Sequence, residues 1–301
     1  MKAFVIFASA AAAYAPRKRP GDFPIDAGNP FCDDLPCTMP IHPTAIVDSA
    51  ASIDPSASIG PFAVITGPVE IGPDCVLDAT AIVMGHTTLG AGCRIHAHAV
   101  VGDSPQDHKY QGETTYCRIG AGTVIREGAT VHRGTAPGST TTVGKRCLLM
   151  TNSHVGHNCN LGDDVILVSG ALLGGHVDVG QRAIVSGNAA VHQFVRIGEL
   201  ALVGILARIT QDVPPFCITD QDGNVVAENR VGMKRAGFSV SERMELKAAF
   251  SAIYRDGIGR NAAVKYLQTN VATDAGRRLL DFFAADSSRG PGMRLYEPHA
   301  A

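Results

Sequence analysis

From Ile41 onward an aliphatic side chain returns at every sixth position: Val47, Ile53, Ile59, Ile65, Ile71, Leu77, Val83, Leu89, Ile95 and Val101. The same phase resumes at Ile119, Ile125 and Val131, then runs from Val143 through Leu149, Val155, Leu161, Leu167, Leu173, Val179, Val185, Val191, Ile197 and Val203 to Ile209. In that frame only Asp107, Glu113 and Pro137 break the rule. A second slot, four residues further on, holds small side chains such as Ala57, Cys75, Cys93, Cys147, Cys159, Ala171 and Ala189. A period of six fits neither an amphipathic helix nor a half-buried strand. It fits short strands joined by corners, each turn stacking on the next to close a continuous core.

The slot pattern suggests about ten coils, mainly β. Gly60, Gly72, Gly90, Gly120, Gly144, Gly162, Gly180 and Gly198 follow the aliphatic residue, where relaxed backbone limits suit a corner. The broken slots mark two polar excursions, residues 102–116 and Gly134–Thr142, and loops on a rigid scaffold are where binding chemistry collects. After Pro214-Pro215 the pattern turns helical. Ser239 and Glu242 make a capping box for a helix over Val240–Asp256 that Gly257 closes. Further helices are expected around Asn261–Gln268 and Asp274–Ala285, with Ser287–Ala301 a loose tail. The chain thus divides into an extension (1–38), the repeat (39–214) and a C-terminal α-helical domain (215–301).

Composition narrows the classes. The 301 residues are 18% charged and 45% hydrophobic with a net charge of −2, which excludes a disordered chain and a uniformly basic nucleic-acid binder. No apolar run is long enough to span a bilayer. The eight cysteines include no CxxC pair; most sit in the small slot, so they read as core-filling free thiols. Residues 1–15 imitate a short secretory signal, but Pro16 and Arg17-Lys18-Arg19 follow, and Met39 offers a second start; an extension or upstream start is the preferred reading. Residues 229–278 hold ten Lys or Arg and four Asp or Glu, a solvated helical face or a dock for an acidic partner.

Ten of the eleven histidines lie between His42 and His192, and none takes a core slot, so they are expected to point outward. With 18 residues per turn, His157 lies beneath Gly175 and Asn158 beneath His176. An imidazole beside a glycine N–H pairs a general base with an oxyanion donor, the combination acyl transfer needs. His154 and His157 also form H-x-x-H, which keeps a zinc enzyme of carbonic anhydrase type as an alternative. A noncatalytic β-helical scaffold is another.

The hexads resemble the hexapeptide-repeat proteins, which implies a left-handed parallel β-helix. Gln106-Asp107-His108-Lys109-Tyr110, His132-Arg133-Gly134-Thr135, Asn152-Ser153-His154-Val155-Gly156-His157, Gly175-His176, Ala190-Val191-His192-Gln193-Phe194, Gln211-Asp212-Val213-Pro214-Pro215 and Gly232-Met233-Lys234-Arg235-Ala236-Gly237-Phe238 are more specific. Together they resemble the bacterial UDP-N-acetylglucosamine O-acyltransferases that begin lipid A synthesis. The resemblance implies transfer of an (R)-3-hydroxyacyl chain from acyl carrier protein to the sugar 3-hydroxyl, in a cytoplasmic homotrimer, with no metal or cofactor beyond the donor's phosphopantetheine. It implies that His157 is the base, oriented by Asn158, and that Gly175 N–H binds the oxyanion. Gln106, Asp107, Lys109, His132, His154 and His176 would line the sugar pocket. His192, Gln193, Asn229 and Arg235 would serve the nucleotide or pantetheine ends. Two departures stand out. Asn158 replaces the usual Asp, so the ring is held without charge stabilisation of imidazolium. Ile205 stands where some relatives have Gly, which should shorten the acyl chain accepted.

Overall fold

The computed structural model describes residues 40–293; the signal-like N-terminus, Met39 and residues 294–301 lie outside them. The hexads form short parallel strands in three sheets. The first, of nine strands, runs from Ile46–Val47 to Arg208–Ile209; the second, of eight, from Ser52–Ile53 to Arg196–Ile197. The third has ten strands from Ser58–Ile59 onward and ends in a hairpin of Cys217–Thr219 and Val225–Glu228. Partners lie one 18-residue turn apart, as in His154 against Leu172 and Leu149 against Leu167. The register lengthens only where excursions leave, as at Val101 against Val131 and Ile119 against Val143.

The count of about ten coils stands despite those excursions, since a parallel bridge of Ile41 to Ile59 and the parallel strand Cys217–Thr219 extend the third sheet's stack at its two ends. The slots at Asp107, Glu113 and Pro137 are lifted out of the coil, and no sheet contains more than nine strands from the repeat itself. The core is as the pattern implies. Aliphatic and small slots from Ala57 to Ile209 are almost wholly inaccessible, and the cysteines among the described residues are buried free thiols.

Glycine at the corners answers to close approach rather than to backbone freedom. The eight glycines named above do not adopt positive φ; a Cβ there would meet the next turn's backbone at 2.3–2.9 Å, so stacking distance excludes a side chain. The left-handed residue comes two positions later, at Asp74, Arg146, Asn158, Asp164, His176 and Phe194, among others. Asn and Asp tolerate that conformation best. Asn158, at φ 60°, therefore satisfies the corner as well as any chemistry.

Strands persist beyond Pro215, so helix begins later than the composition change suggests. The short α1 (Arg230–Arg235), which the sequence reading missed, is capped by Asn229. Helix α2 (Val240–Phe250) opens with the expected capping box of Ser239 and Glu242 and continues as a π-helical turn, Ser251–Arg255, before Gly257 at φ 70°. Helices α3 (Arg260–Asn270) and α4 (Asp274–Ala284) follow. Their apolar faces, with Phe216, Met233, Phe250, Leu267 and Phe283, build a second core. The start of the expected loose tail is instead pinned: Gly290 and Gly292 bracket Asp212 through backbone hydrogen bonds, and Tyr254 donates to Gly292 O at 3.1 Å.

Candidate active site

Both excursions leave the same corner, the one joining the first sheet to the second. One bridges Val100–Asp103 to Tyr116–Ile119; the other bridges Thr130–His132 to Thr140–Val143. On the next turn that corner is Gly156-His157-Asn158-Cys159, and above it lies Gly174-Gly175-His176-Val177. His176 N donates to His157 O at 2.9 Å, locking the two turns in register. The His157 ring lies against Gly175 so closely that a Cβ there would stand 2.5 Å from both Cε1 and Nε2. Glycine is required here by close approach. Among the described residues nothing accepts the Gly175 N–H.

Hydrogen-bond chemistry assigns the tautomer. The Asn158 side-chain oxygen receives the backbone N–H of Thr135 at 3.0 Å and faces His157 Nδ1 at 3.0 Å. A peptide N–H can only donate, so the atom it meets is the amide oxygen, and that oxygen can only accept from Nδ1. The neutral His157 ring therefore carries its proton on Nδ1. Its Nε2 lone pair is free, and Asp107 Oδ2 lies 3.8 Å from it. Asn158 is itself held by its N–H, which donates to Thr141 Oγ1 at 2.8 Å.

The walls come from the excursions. The Lys109 N–H, 3.0 Å from Asp107 Oδ1, holds that carboxyl below its ordinary range, so it stays ionised opposite the imidazole. Arg133 ties the first excursion down: it donates to Gly102 O at 2.8 Å, Ser104 Oγ at 3.1 Å and Tyr110 Oη at 2.9 Å. Gln106 and Lys109 are exposed on that loop. His132, at the root of the second excursion, is buried, with 5% accessible. It packs edge-on against His154, whose Nδ1 lies 2.7 Å from Thr130 Oγ1. Burial, then the neighbouring His132 and His157, pushes His154 down to about 4; burial also lowers His132 and His176. His176 stands edge-on to His157 and stacks on Phe194, with ring centres 4.7 Å apart.

The comparisons agree with this architecture. Residues 68–103 match the family described as bacterial transferase hexapeptide (six repeats), and residues 212–291 match domain 2 of UDP N-acetylglucosamine O-acyltransferase. The acyl-[acyl-carrier-protein]--UDP-N-acetylglucosamine O-acyltransferase of Anaeromyxobacter sp. (strain K) is 41% identical over 236 residues, 78% of this chain and 92% of that protein. The Syntrophobacter fumaroxidans protein of the same name is 38% identical over 256 residues, covering 84% and 99%. This chain belongs to the UDP-N-acetylglucosamine O-acyltransferase family. Solved acyltransferases from Francisella novicida (34% identity, 86% and 95% covered) and Moraxella catarrhalis (36%, 84% and 100%) each superpose with a TM-score of 0.81. A left-handed parallel β-helix with a small helical end fits both the repeat and these neighbours.

For this family member the remaining expected residues are dispersed. His192 and Gln193 occupy the same corner one turn beyond Gly175, where Arg289 reaches His192 Nδ1 at 2.6 Å and Gln193 O at 2.9 Å. Asn229 stands at the start of α1. It is buried, its amide donates to Leu200 O at 2.8 Å and its oxygen caps Gly232 N at 2.9 Å. Arg235 is exposed at the end of α1. Ile205 is exposed on a different corner, between Leu202–Val203 and Arg208–Ile209. The sequence reading gave no role to Arg133, although it stands at the root of an excursion, or to Arg289, which no periodic signal marks. Among the described residues no group of three or more His, Cys, Asp and Glu has metal-site geometry, and His154 turns to Thr130 rather than converging with His157.

Proposed function

We infer that this chain transfers an (R)-3-hydroxyacyl group from acyl carrier protein to the 3-hydroxyl of UDP-N-acetylglucosamine, the first step of lipid A synthesis. The observation that carries the reading is the free Nε2 of His157 held against the Gly175 peptide. Nε2 removes the proton from the sugar hydroxyl, whose oxygen attacks the thioester carbonyl. Negative charge then collects on the former carbonyl oxygen, where the Gly175 N–H donates. Collapse expels the pantetheine thiolate, and the imidazolium returns the proton to it. Asn158 fixes the ring without charge, but Asp107 faces Nε2 and stabilises the imidazolium from the other side. No step calls on a metal or on a cofactor beyond the pantetheine of the donor.

The position of Ile205 supports an assembly. Within one chain it lies on a different edge from His157, so it meets the acyl chain only if a neighbouring copy sets that edge beside this corner. A cyclic homotrimer supplies three such contacts. The exposed cationic Arg235 and the basic helical end suit the phosphates and acidic surface of the acyl carrier protein. Both substrates belong to the cytoplasm, and among the described residues no helix is long and apolar enough to cross a membrane.

A panel of acyl carrier protein donors with 3-hydroxyl and 3-amino acceptors, read by mass spectrometry, tests the assignment. The expected product is an ester of UDP-N-acetylglucosamine, formed faster from medium than from long chains, with Ile205→Gly extending the range. No acylated nucleotide from any donor would overturn the reading.

A further inference from the structure

We propose that Cys159 is a positioning residue for the oxyanion-binding amide, acting through the peptide that joins Gly174 to Gly175. This rests on the acyl-transfer reading above. Cys159 Sγ lies 3.1 Å from Gly174 O. Burial pushes its thiol up to about 12, so sulfur keeps its proton and donates to that carbonyl. In a planar trans peptide the carbonyl and the following N–H point in opposite directions. A thiol that holds the Gly174 carbonyl toward the core therefore aims the Gly175 N–H outward, on the side where the His157 ring lies.

The inward contact is a recurring device of the coil. Cys75 reaches Gly90 O at 3.1 Å, Cys93 reaches Gly120 O at 3.3 Å and Cys147 reaches Gly162 O at 3.2 Å, while Thr123 does the same to Gly144 O at 2.8 Å. At those corners it fixes a peptide that faces no imidazole. At Cys159 the same weak bond holds the one peptide whose N–H stands beside His157. Glycine on both sides of that peptide leaves it free of Cβ restraint, so the contact to sulfur matters more there.

The experiment compares kcat and KM of the wild-type chain with Cys159→Ala, Cys159→Ser and Cys147→Ala. Alanine already fills this slot at Ala57, Ala63 and Ala171, so the variants fold. Thermal unfolding should fall equally in the two alanine variants. Cys159→Ala is expected to lower kcat roughly tenfold, a fraction of the effect of deleting an oxyanion donor, with KM within about twofold. Cys159→Ser, which keeps a donor, should recover most of that loss, and Cys147→Ala should keep full kcat. Unchanged kcat in Cys159→Ala, an equal loss in Cys147→Ala, or no recovery with serine would overturn the proposal while leaving the acyl-transfer reading standing. A wild-type chain with no acyl transfer would overturn that reading instead.

Discussion

Two corners of the coil share one backbone and differ in chemistry. Gly144-Lys145-Arg146-Cys147 lies under Gly162-Asp163-Asp164-Val165, and Gly156-His157-Asn158-Cys159 lies under Gly174-Gly175-His176-Val177. Arg146 and Asp164 have φ of 54° and 59°, and Asn158 and His176 both have 60°. Asp164 N donates to Lys145 O at 2.8 Å as His176 N donates to His157 O at 2.9 Å. The thiols make the same bond to glycine. At the first corner Arg146 and Asp164, in register with Asn158 and His176, form a solvated ion pair at 2.8 Å that adds little stability, and Lys145 and Asp163 are the outward pair in register with His157 and Gly175. At the second the outward pair is an imidazole over a bare glycine, walled by excursions that leave no other corner of the described coil. The scaffold makes every corner alike, and two outward positions plus inserted loops make one of them reactive.

The comparison is broken most severely at the imidazole. His157→Ala should lower kcat by roughly a thousandfold with the fold intact, whereas Lys145→Ala at the matched corner should leave kcat unchanged. Steady-state acyl transfer with circular dichroism checks both. Next comes Gly175→Ala. Its φ is accessible to alanine, but the new methyl would displace the ring, so kcat should fall roughly a hundredfold with little change in unfolding temperature.

The smallest effect is on stability against pH. The folded state holds His154 near 4 and lowers His132 and His176, while the unfolded chain binds those protons near the ordinary histidine value of about 6.5. Between these values the unfolded state binds more protons, so this contribution is complete above pH ~6.5 and is lost as pH falls toward about 4. Thermal unfolding across that window should show a slope that His154→Gln reduces. An unchanged slope would show that other groups set it.

Much of this was legible in the sequence because a core that repeats every six residues leaves no choice of phase. Register then follows from counting, and His157 under Gly175 follows from register. The tautomer was not legible, because it depends on the Thr135 N–H, delivered by a loop whose path no periodicity fixes. Nor was the capping use of Asn229, which needs the carbonyl of Leu200 brought close by the end of the coil. Nor was the reason for glycine at its slots, since sequence alone does not distinguish backbone freedom from close approach. The hairpin after Pro215 escaped because its strands are short and lie outside the hexad frame.

Catalysis at this corner depends most on where the neutral His157 carries its proton. Nitrogen-15 chemical shifts and two-bond ring couplings of histidine-labelled protein, with His157→Gln to assign the signal, report this directly. The geometry around Asn158 predicts a protonated Nδ1 and an unprotonated Nε2. A ring protonated at Nε2 would leave no lone pair facing the substrate and would contradict the account.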